Sequence, residues 1–130
     1  TVSVLFQWFI VSFPLVIFIA EIMFANNIAD HDEDESNNRH TLVHYMGISS
    51  AKRMYVFYAI LAFIELLIAT IVGWLPITTY AMIALLPIVL KNAKGFVDRP
   101  IKRETFVLAI KNLVVVMLGM TVVIMDGIWL

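Results

Sequence analysis

Four long apolar segments alternate with shorter polar ones along this chain. The apolar segments cover about residues 2–25, 54–73, 75–90 and 105–130. As a helix, the first would extend roughly 36 Å, which exceeds the hydrocarbon core of a bilayer at about 30 Å. The pattern therefore predicts an all-α fold, a polytopic transmembrane helical bundle with about four spans.

Prolines and glycines indicate where these segments bend or end. Pro14 lies inside the first segment and favours a kink, because it removes one backbone hydrogen bond. The apolar turn at residues 73–76 contains Trp74, a residue typical of membrane interfaces, so the second and third segments are predicted to form a hairpin. The third segment is short and contains Pro87, which indicates a helix that lies tilted within a bundle.

Composition supports a membrane protein and excludes several other classes. Hydrophobic residues make up 62% of the chain, charged residues make up 15%, and the mean hydropathy is +0.92. The net charge of −1 argues against a nucleic-acid-binding protein, which would carry a basic face. The chain has no cysteine, so disulfides, thiolate nucleophiles and cysteine-based metal sites are excluded. Because the sequence begins at Thr1 rather than Met, we interpret it as part of a longer protein.

The basic residues predict an orientation in the membrane. All nine Lys and Arg residues lie in or beside two polar loops, at residues 26–53 and 91–104, and the turn at 73–76 has none. Because cytoplasmic loops of membrane proteins are enriched in these residues, both loops are predicted to be cytoplasmic and both chain ends to lie outside. The predicted location is the plasma membrane, with the acidic loop in the cytoplasm.

Acidic residues are concentrated at the start of the first polar loop, directly after the first apolar segment. Asp30 and Asp34 are four residues apart, so on a helix they would share one face. Mg²⁺ suits such a pair, because it binds one or two carboxylates and completes its shell with water and phosphate oxygens. Arg39, Lys52 and Arg53 could pair directly with a diphosphate. The loop therefore predicts a chain of contacts from carboxylate to metal to diphosphate.

Simpler interpretations of this loop remain open. Clusters of Asp and Glu between membrane spans are often only hydrated surface. A calcium-binding EF-hand loop is excluded, because Glu35 stands where that loop needs glycine and Thr41 stands where it needs its last glutamate. His40 and His44 have helical spacing and could bind zinc with a nearby carboxylate. We expect instead that these two are loop histidines near phosphate or water.

Two glutamates, Glu21 and Glu65, lie within the predicted spans. Ionisable residues at membrane depth usually face a cavity or a partner, so either could line an active chamber. The alternative for each is a protonated carboxyl group that is hydrogen-bonded between helices.

Residues 26–34 read Asn-Asn-Ile-Ala-Asp-His-Asp-Glu-Asp, and Arg39, Thr41-Leu42 and Gly47 follow. This pattern resembles the second aspartate-rich motif of UbiA-type membrane prenyltransferases. The most similar branch is the 1,4-dihydroxy-2-naphthoate polyprenyltransferases, and the chain resembles the C-terminal half of such a protein. Three positions depart from the family pattern: Asn38 replaces a usual glycine, His40 a basic residue and Tyr45 a common arginine.

The resemblance implies an Mg²⁺-dependent enzyme within a larger UbiA-like bundle. Such enzymes transfer a polyprenyl group from polyprenyl diphosphate to an aromatic acceptor, in this branch 1,4-dihydroxy-2-naphthoate in menaquinone biosynthesis. By resemblance, Asp30 and Asp34 bind the metal and Asn26 and Asn27 shape the motif. Arg39 binds the diphosphate, with Lys52 and Arg53 as further candidates from their charge.

The first aspartate-rich motif of the family does not occur in these residues. We therefore predict that this chain alone is inactive and that its partner is the N-terminal half of the same protein. Two other classes of function remain as alternatives. One is a subunit of a divalent-cation channel or transporter, with the carboxylates as a selectivity ring. The other is a structural membrane module.

Overall fold

The computed structural model describes the whole chain, Thr1 to Leu130, and contains helices but no strand. The helices are α1 (Val2–Val11), α2 (Phe13–Ala29), α3 (His31–Ser36), α4 (Leu42–Met46), α5 (Ile48–Ile71), a 3₁₀ helix (Ile77–Leu85), α6 (Leu86–Asp98) and α7 (Phe106–Trp129). The predicted all-α class is confirmed.

Three helical segments have the length and apolar composition to cross a membrane. They are α5, the 3₁₀ helix together with α6, and α7. The pair α1 and α2 passes the same test as one segment that is bent by 44°. The structure thus contains three such segments, or four if the bent pair is one span, in agreement with the predicted number of about four.

The bend between α1 and α2 lies at Ser12, close to Pro14. Pro14 occupies the first turn of α2, where a backbone N–H has no partner within the helix, so its missing N–H costs no hydrogen bond there. The hydroxyl of Ser12 donates to the Phe9 carbonyl at 2.7 Å. The kink predicted from Pro14 is therefore present, at Ser12, two residues before the proline.

The long helices form a closed ring in which α2 and α6 each pack against both α5 and α7. The buried face of α5 is rich in alanine, with Ala51, Ala59, Ala62 and Ala69 all buried. Small side chains let helix backbones approach closely, and such packing supplies much of the attraction between helices in a membrane. The ring is therefore held by close contact along α5.

Glycines on α7 allow the 3₁₀ helix to pack closely against it. A Cβ atom on Gly119 would lie 2.6 Å from Leu85 Cδ1 and 2.9 Å from Met82 Sδ. A Cβ on Gly127 would clash with the ring of Pro76. Nine residues is long for a 3₁₀ helix, because its hydrogen bonds are poorly aligned. Its packing against these glycines compensates for that weakness.

Helix α6 continues past residue 90, where the third apolar segment ends, as far as Asp98. Lys91 and Lys94 lie exposed on its surface, so they do not interrupt the helix. The helix ends before Pro100, because a residue that precedes proline is disfavoured in the helical conformation. Similarly, α5 begins at Ile48, inside the polar segment 26–53, which also contains α3 and α4.

Candidate functional site

Asp30 lies at the junction between α2 and α3. Its backbone N–H donates to the Asn26 carbonyl at 2.9 Å, and the N–H of Asp34 donates to the Asp30 carbonyl at 2.8 Å. Helical hydrogen bonding therefore continues across the junction, and Asp30 and Asp34 lie one turn apart. Residues with this spacing share one face of a helix.

The Asp30 carboxylate is held by two neighbours through a single oxygen. The Asn26 amide donates to Oδ2 at 3.1 Å, and Lys102 Nζ donates to the same atom at 2.6 Å. Lys102 comes from the second polar loop, so this ion pair joins the two loops. The side chain of Asp30 is 17% exposed. Its other oxygen, Oδ1, accepts no hydrogen bond within the chain.

Asp34 is more deeply buried, with its side chain 9% exposed. Its Oδ1 lies 3.6 Å from Arg39 Nη1, and the Arg39 backbone N–H donates to the Asp34 carbonyl at 2.8 Å. The remaining oxygen, Oδ2, accepts no hydrogen bond. Asp30 and Asp34 thus each keep one carboxylate oxygen free while the other is paired with a cation.

A tight turn after α3 brings Arg39 back to Asp34. Asn38 has a φ of 53°, and its N–H donates to the Glu35 carbonyl at 3.2 Å. Together with the bond from Arg39 to Asp34, this is a Schellman motif, which needs a left-handed residue at the position of Asn38. Asparagine is one of the few residues other than glycine that adopt this conformation readily. The departure from glycine therefore preserves the turn.

The short helix α4 is attached to α3 by a polar contact and to the bundle by an apolar one. Glu35 Oε1 lies 2.5 Å from His44 Nδ1, and this hydrogen bond holds the pKa of Glu35 below its usual value. On the other side of α4, Val43 is fully buried. The acidic loop is therefore packed against the bundle through α4.

The histidines of the loop do not form a metal site with a carboxylate. The rings of His40 and His44 are stacked, with centroids 4.0 Å apart. No three of the chain's His, Asp and Glu side chains come together as a group that could hold a metal ion. The geometry therefore gives the zinc alternative no support.

Lys52 and Arg53 are not brought together with the aspartates. They line a separate depression of about 500 Å³ that they share with Val56, Val97 and Asp98. Arg53 Nη2 also donates to the Ser50 hydroxyl at 3.2 Å. Conversely, Lys102 contacts Asp30, although nothing in the sequence pattern distinguishes it from the other cations of its loop.

A second pocket, of about 370 Å³, lies beside α2. Its lining residues are mainly apolar and come from α2, α4 and α5, and they include Asn27 of the acidic motif. Glu21 is among its lining residues, but both of its carboxylate oxygens are fully buried, accept no hydrogen bond of ordinary geometry and lie beside the Ala59 backbone of α5. The Glu65 carboxylate also lacks a hydrogen-bond partner, but it does not line this pocket.

The chemistry of the two aspartates fits Mg²⁺. That ion prefers oxygen ligands and is usually held by one or two carboxylates, with waters and phosphate oxygens filling its other positions. Asp30 Oδ1 and Asp34 Oδ2 are two such oxygens, on residues that lie one helical turn apart. A third protein ligand is not required.

Comparison with known proteins identifies one family. The family model described as "UbiA prenyltransferase family" matches residues 1–113. The matched part includes the whole acidic loop, Lys102 and the pocket beside α2. Searches of curated proteins and of solved structures gave no match.

Proposed function

The chain belongs to the UbiA prenyltransferase family, and on that premise we propose that it takes part in transferring a polyprenyl group from polyprenyl diphosphate to an aromatic acceptor. The proposed acceptor is 1,4-dihydroxy-2-naphthoate, in menaquinone biosynthesis, because residues 26–34 follow the motif of that branch. The observation that carries the proposal is the pair Asp30 and Asp34. Each has a free carboxylate oxygen, and they follow directly after the bent apolar segment formed by α1 and α2.

In this proposal Asp30 and Asp34 hold Mg²⁺ through their free oxygens. When bound, the ion would offset the negative charge of the diphosphate as that group leaves. Asn26 orients Asp30 by donating to its other oxygen. The turn at Asn38 places Arg39 beside Asp34, where its guanidinium can also reach a phosphate oxygen.

Lys52 and Arg53 act at longer range, whereas Lys102 contacts Asp30 directly. Lys52 and Arg53 belong to a neighbouring depression, so we assign them to attracting the diphosphate rather than to direct contact with the aspartates. Lys102 neutralises Asp30 and lowers the repulsion that a diphosphate would meet there. The lining of the pocket beside α2 is mainly apolar, so it suits the prenyl chain next to the proposed metal site.

We also propose that the acidic loop faces the cytoplasm in the plasma membrane. The ion pair between Lys102 and Asp30 supports this, because it brings both basic loops to one end of the bundle, where positive residues favour the cytoplasm. The opposite end contains the turn near Trp74, which Phe6 contacts edge to face. Transfer is proposed to need the family's first aspartate-rich motif as well, which these residues do not contain.

The test is prenyl transfer by the complete enzyme, which carries both motifs. Replacing Asp30 or Asp34 by alanine is expected to lower turnover about 100-fold or more, as for loss of a metal site, while membrane insertion is unchanged. The matched control is Asp32→Ala, because Asp32 lies on α3 between them but is exposed and has no ion pair. Near-normal turnover of the Asp30 and Asp34 variants, or an equal loss in the control, would refute the proposed roles.

A further inference from the structure

The depression of about 500 Å³ near the start of α5 and the end of α6 contains charges that the chain leaves unpaired. Its lining consists of Lys52, Arg53, Asp98 and two apolar residues, Val56 and Val97. None of the three charged side chains forms an ion pair with another residue. The lining therefore has two positive charges and one negative charge, and a singly charged anion would balance its net charge of +1.

The position of Arg53 along α5 places this depression at the level of lipid headgroups. Arg53 and Ile71, the last residue of α5, are separated by about 27 Å along the helix axis. This length is close to that of the hydrocarbon core of a bilayer, at about 30 Å. Trp74, a residue typical of membrane interfaces, follows shortly after Ile71. With the end of α5 at one interface, Arg53 lies at the other.

Towards the membrane interior, the outer surface of α5 next to the depression is apolar. Phe57, Ile64 and Ile68 are all exposed. Helical spacing puts them on the same side of α5 as Arg53. An exposed apolar surface that continues from a cationic depression fits a molecule with an anionic head and hydrocarbon chains, whereas a soluble anion would use only the cations.

We propose that this depression binds the headgroup of an anionic phospholipid, phosphatidylglycerol. Lys52 and Arg53 bind its phosphate, which as a diester carries a single negative charge. Asp98 accepts a hydrogen bond from a hydroxyl of the glycerol headgroup. The acyl chains lie along the exposed apolar face of α5.

This lipid site goes beyond the proposed function and does not depend on it. The diphosphate is attracted at a distance by the summed charge of both basic loops, to which Lys52 and Arg53 contribute two of nine cations. The lipid, in contrast, is held by direct contact with these two side chains. It would bind whether or not the aspartates hold a metal.

Native mass spectrometry of the chain in detergent micelles measures lipid binding directly. The first probe is dioleoyl phosphatidylglycerol. Dioleoyl phosphatidylmethanol has the same charge but no headgroup hydroxyl, and dioleoyl phosphatidylethanolamine has no net charge. The test variant combines Lys52→Gln with Arg53→Gln. Its matched control, Lys91→Gln with Lys94→Gln, removes as many charges from exposed positions of α6 outside the depression.

We expect phosphatidylglycerol to bind saturably to the native chain and about tenfold or more weakly to the test variant, because two contacts with its phosphate are lost. The control should bind like the native chain. Exchanging the two cations, Lys52→Arg with Arg53→Lys, keeps both charges and should retain most of the binding. Equal weakening in the control, loss of binding in the exchanged variant, or equal or tighter binding of phosphatidylethanolamine would overturn the inference. So would displacement of the lipid by millimolar pyrophosphate without Mg²⁺, which would assign the depression to a soluble phosphate.

The comparison with phosphatidylmethanol tests the role of Asp98. Phosphatidylglycerol should bind to the native chain about threefold or more tightly than phosphatidylmethanol, because its hydroxyl adds a hydrogen bond. Asp98→Ala should remove this difference. No difference in the native chain, or a difference that persists in Asp98→Ala, would overturn the assignment of a glycerol headgroup.

Discussion

Lys102 Nζ lies 2.6 Å from Asp30 Oδ2, so a cation from the second polar loop pairs with an aspartate of the first. The two residues are 72 positions apart in sequence. This contact closes the loop end of the bundle and places a positive charge at the carboxylate that we propose as a metal ligand. On that proposal, Lys102 would compete with a metal ion for Asp30 and would also offset repulsion of a diphosphate.

Replacing Lys102 by methionine should separate these two effects. Without the competing ammonium group, Mg²⁺ is expected to bind about twofold to fivefold more tightly, as the small energy of a partly exposed ion pair indicates. Diphosphate binding in the presence of Mg²⁺ should weaken, since one positive charge is lost. Isothermal titration of each ligand measures both changes. Arg103→Met is the control, because Arg103 is exposed in the same loop and has no ion pair; an equal effect there would contradict a specific role of Lys102.

The left-handed conformation of Asn38 predicts how substitutions at this position change the stability of the acidic loop. Asn38→Gly should leave the stability of the loop unchanged, because glycine adopts the left-handed conformation without strain. Asn38→Ala should destabilise the loop by about 1 kcal/mol. Hydrogen exchange of the Arg39 amide, which bonds to Asp34 across the turn, is expected to become several times faster in the alanine variant only. Equal exchange in both variants would mean that the turn does not depend on residue 38.

A buried amide joins α6 and α7. The Asn112 side chain donates to the Val89 carbonyl at 3.0 Å and accepts from Asn92 at 2.9 Å. Asn112→Leu should lower the free energy of unfolding by about 1 kcal/mol, a magnitude typical of hydrogen bonds between membrane helices. Asn92→Leu removes only one of the two bonds and should cost less. Unfolding in mixed detergent micelles measures both variants, and a larger loss for Asn92→Leu would contradict this arrangement.

The sequence predicted the parts of the fold that depend on local pattern. Helical segments of membrane length, the bend near Pro14 and the spacing of Asp30 and Asp34 all follow from composition and helical periodicity. The 3₁₀ helix at Ile77–Leu85 was not predictable, because it depends on close packing against glycines of α7 that lie some 40 residues away. The extension of α6 past Lys91 was missed, because exposed charged residues end an apolar segment but not a helix.

The candidate site was likewise predictable only where its residues are close together in sequence. The acidic motif could be recognised as a unit, since its members are close in sequence. The contact from Lys102 could not, because it depends on how two loops meet in space. The pocket beside α2 likewise became visible only when α2, α4 and α5 were placed together.

The central claim is that Asp30 and Asp34 bind Mg²⁺ and that the metal binds diphosphate. The most direct measurement is a titration of Mg²⁺ into the protein in nanodiscs, with and without farnesyl diphosphate, for the native chain and for the Asp30→Ala, Asp34→Ala and Asp32→Ala variants. We predict that diphosphate tightens Mg²⁺ binding about fivefold or more in the native chain and in Asp32→Ala, with reciprocal tightening of diphosphate by Mg²⁺. The same coupling in Asp30→Ala and Asp34→Ala, or no saturable Mg²⁺ binding in the native chain, would contradict the account.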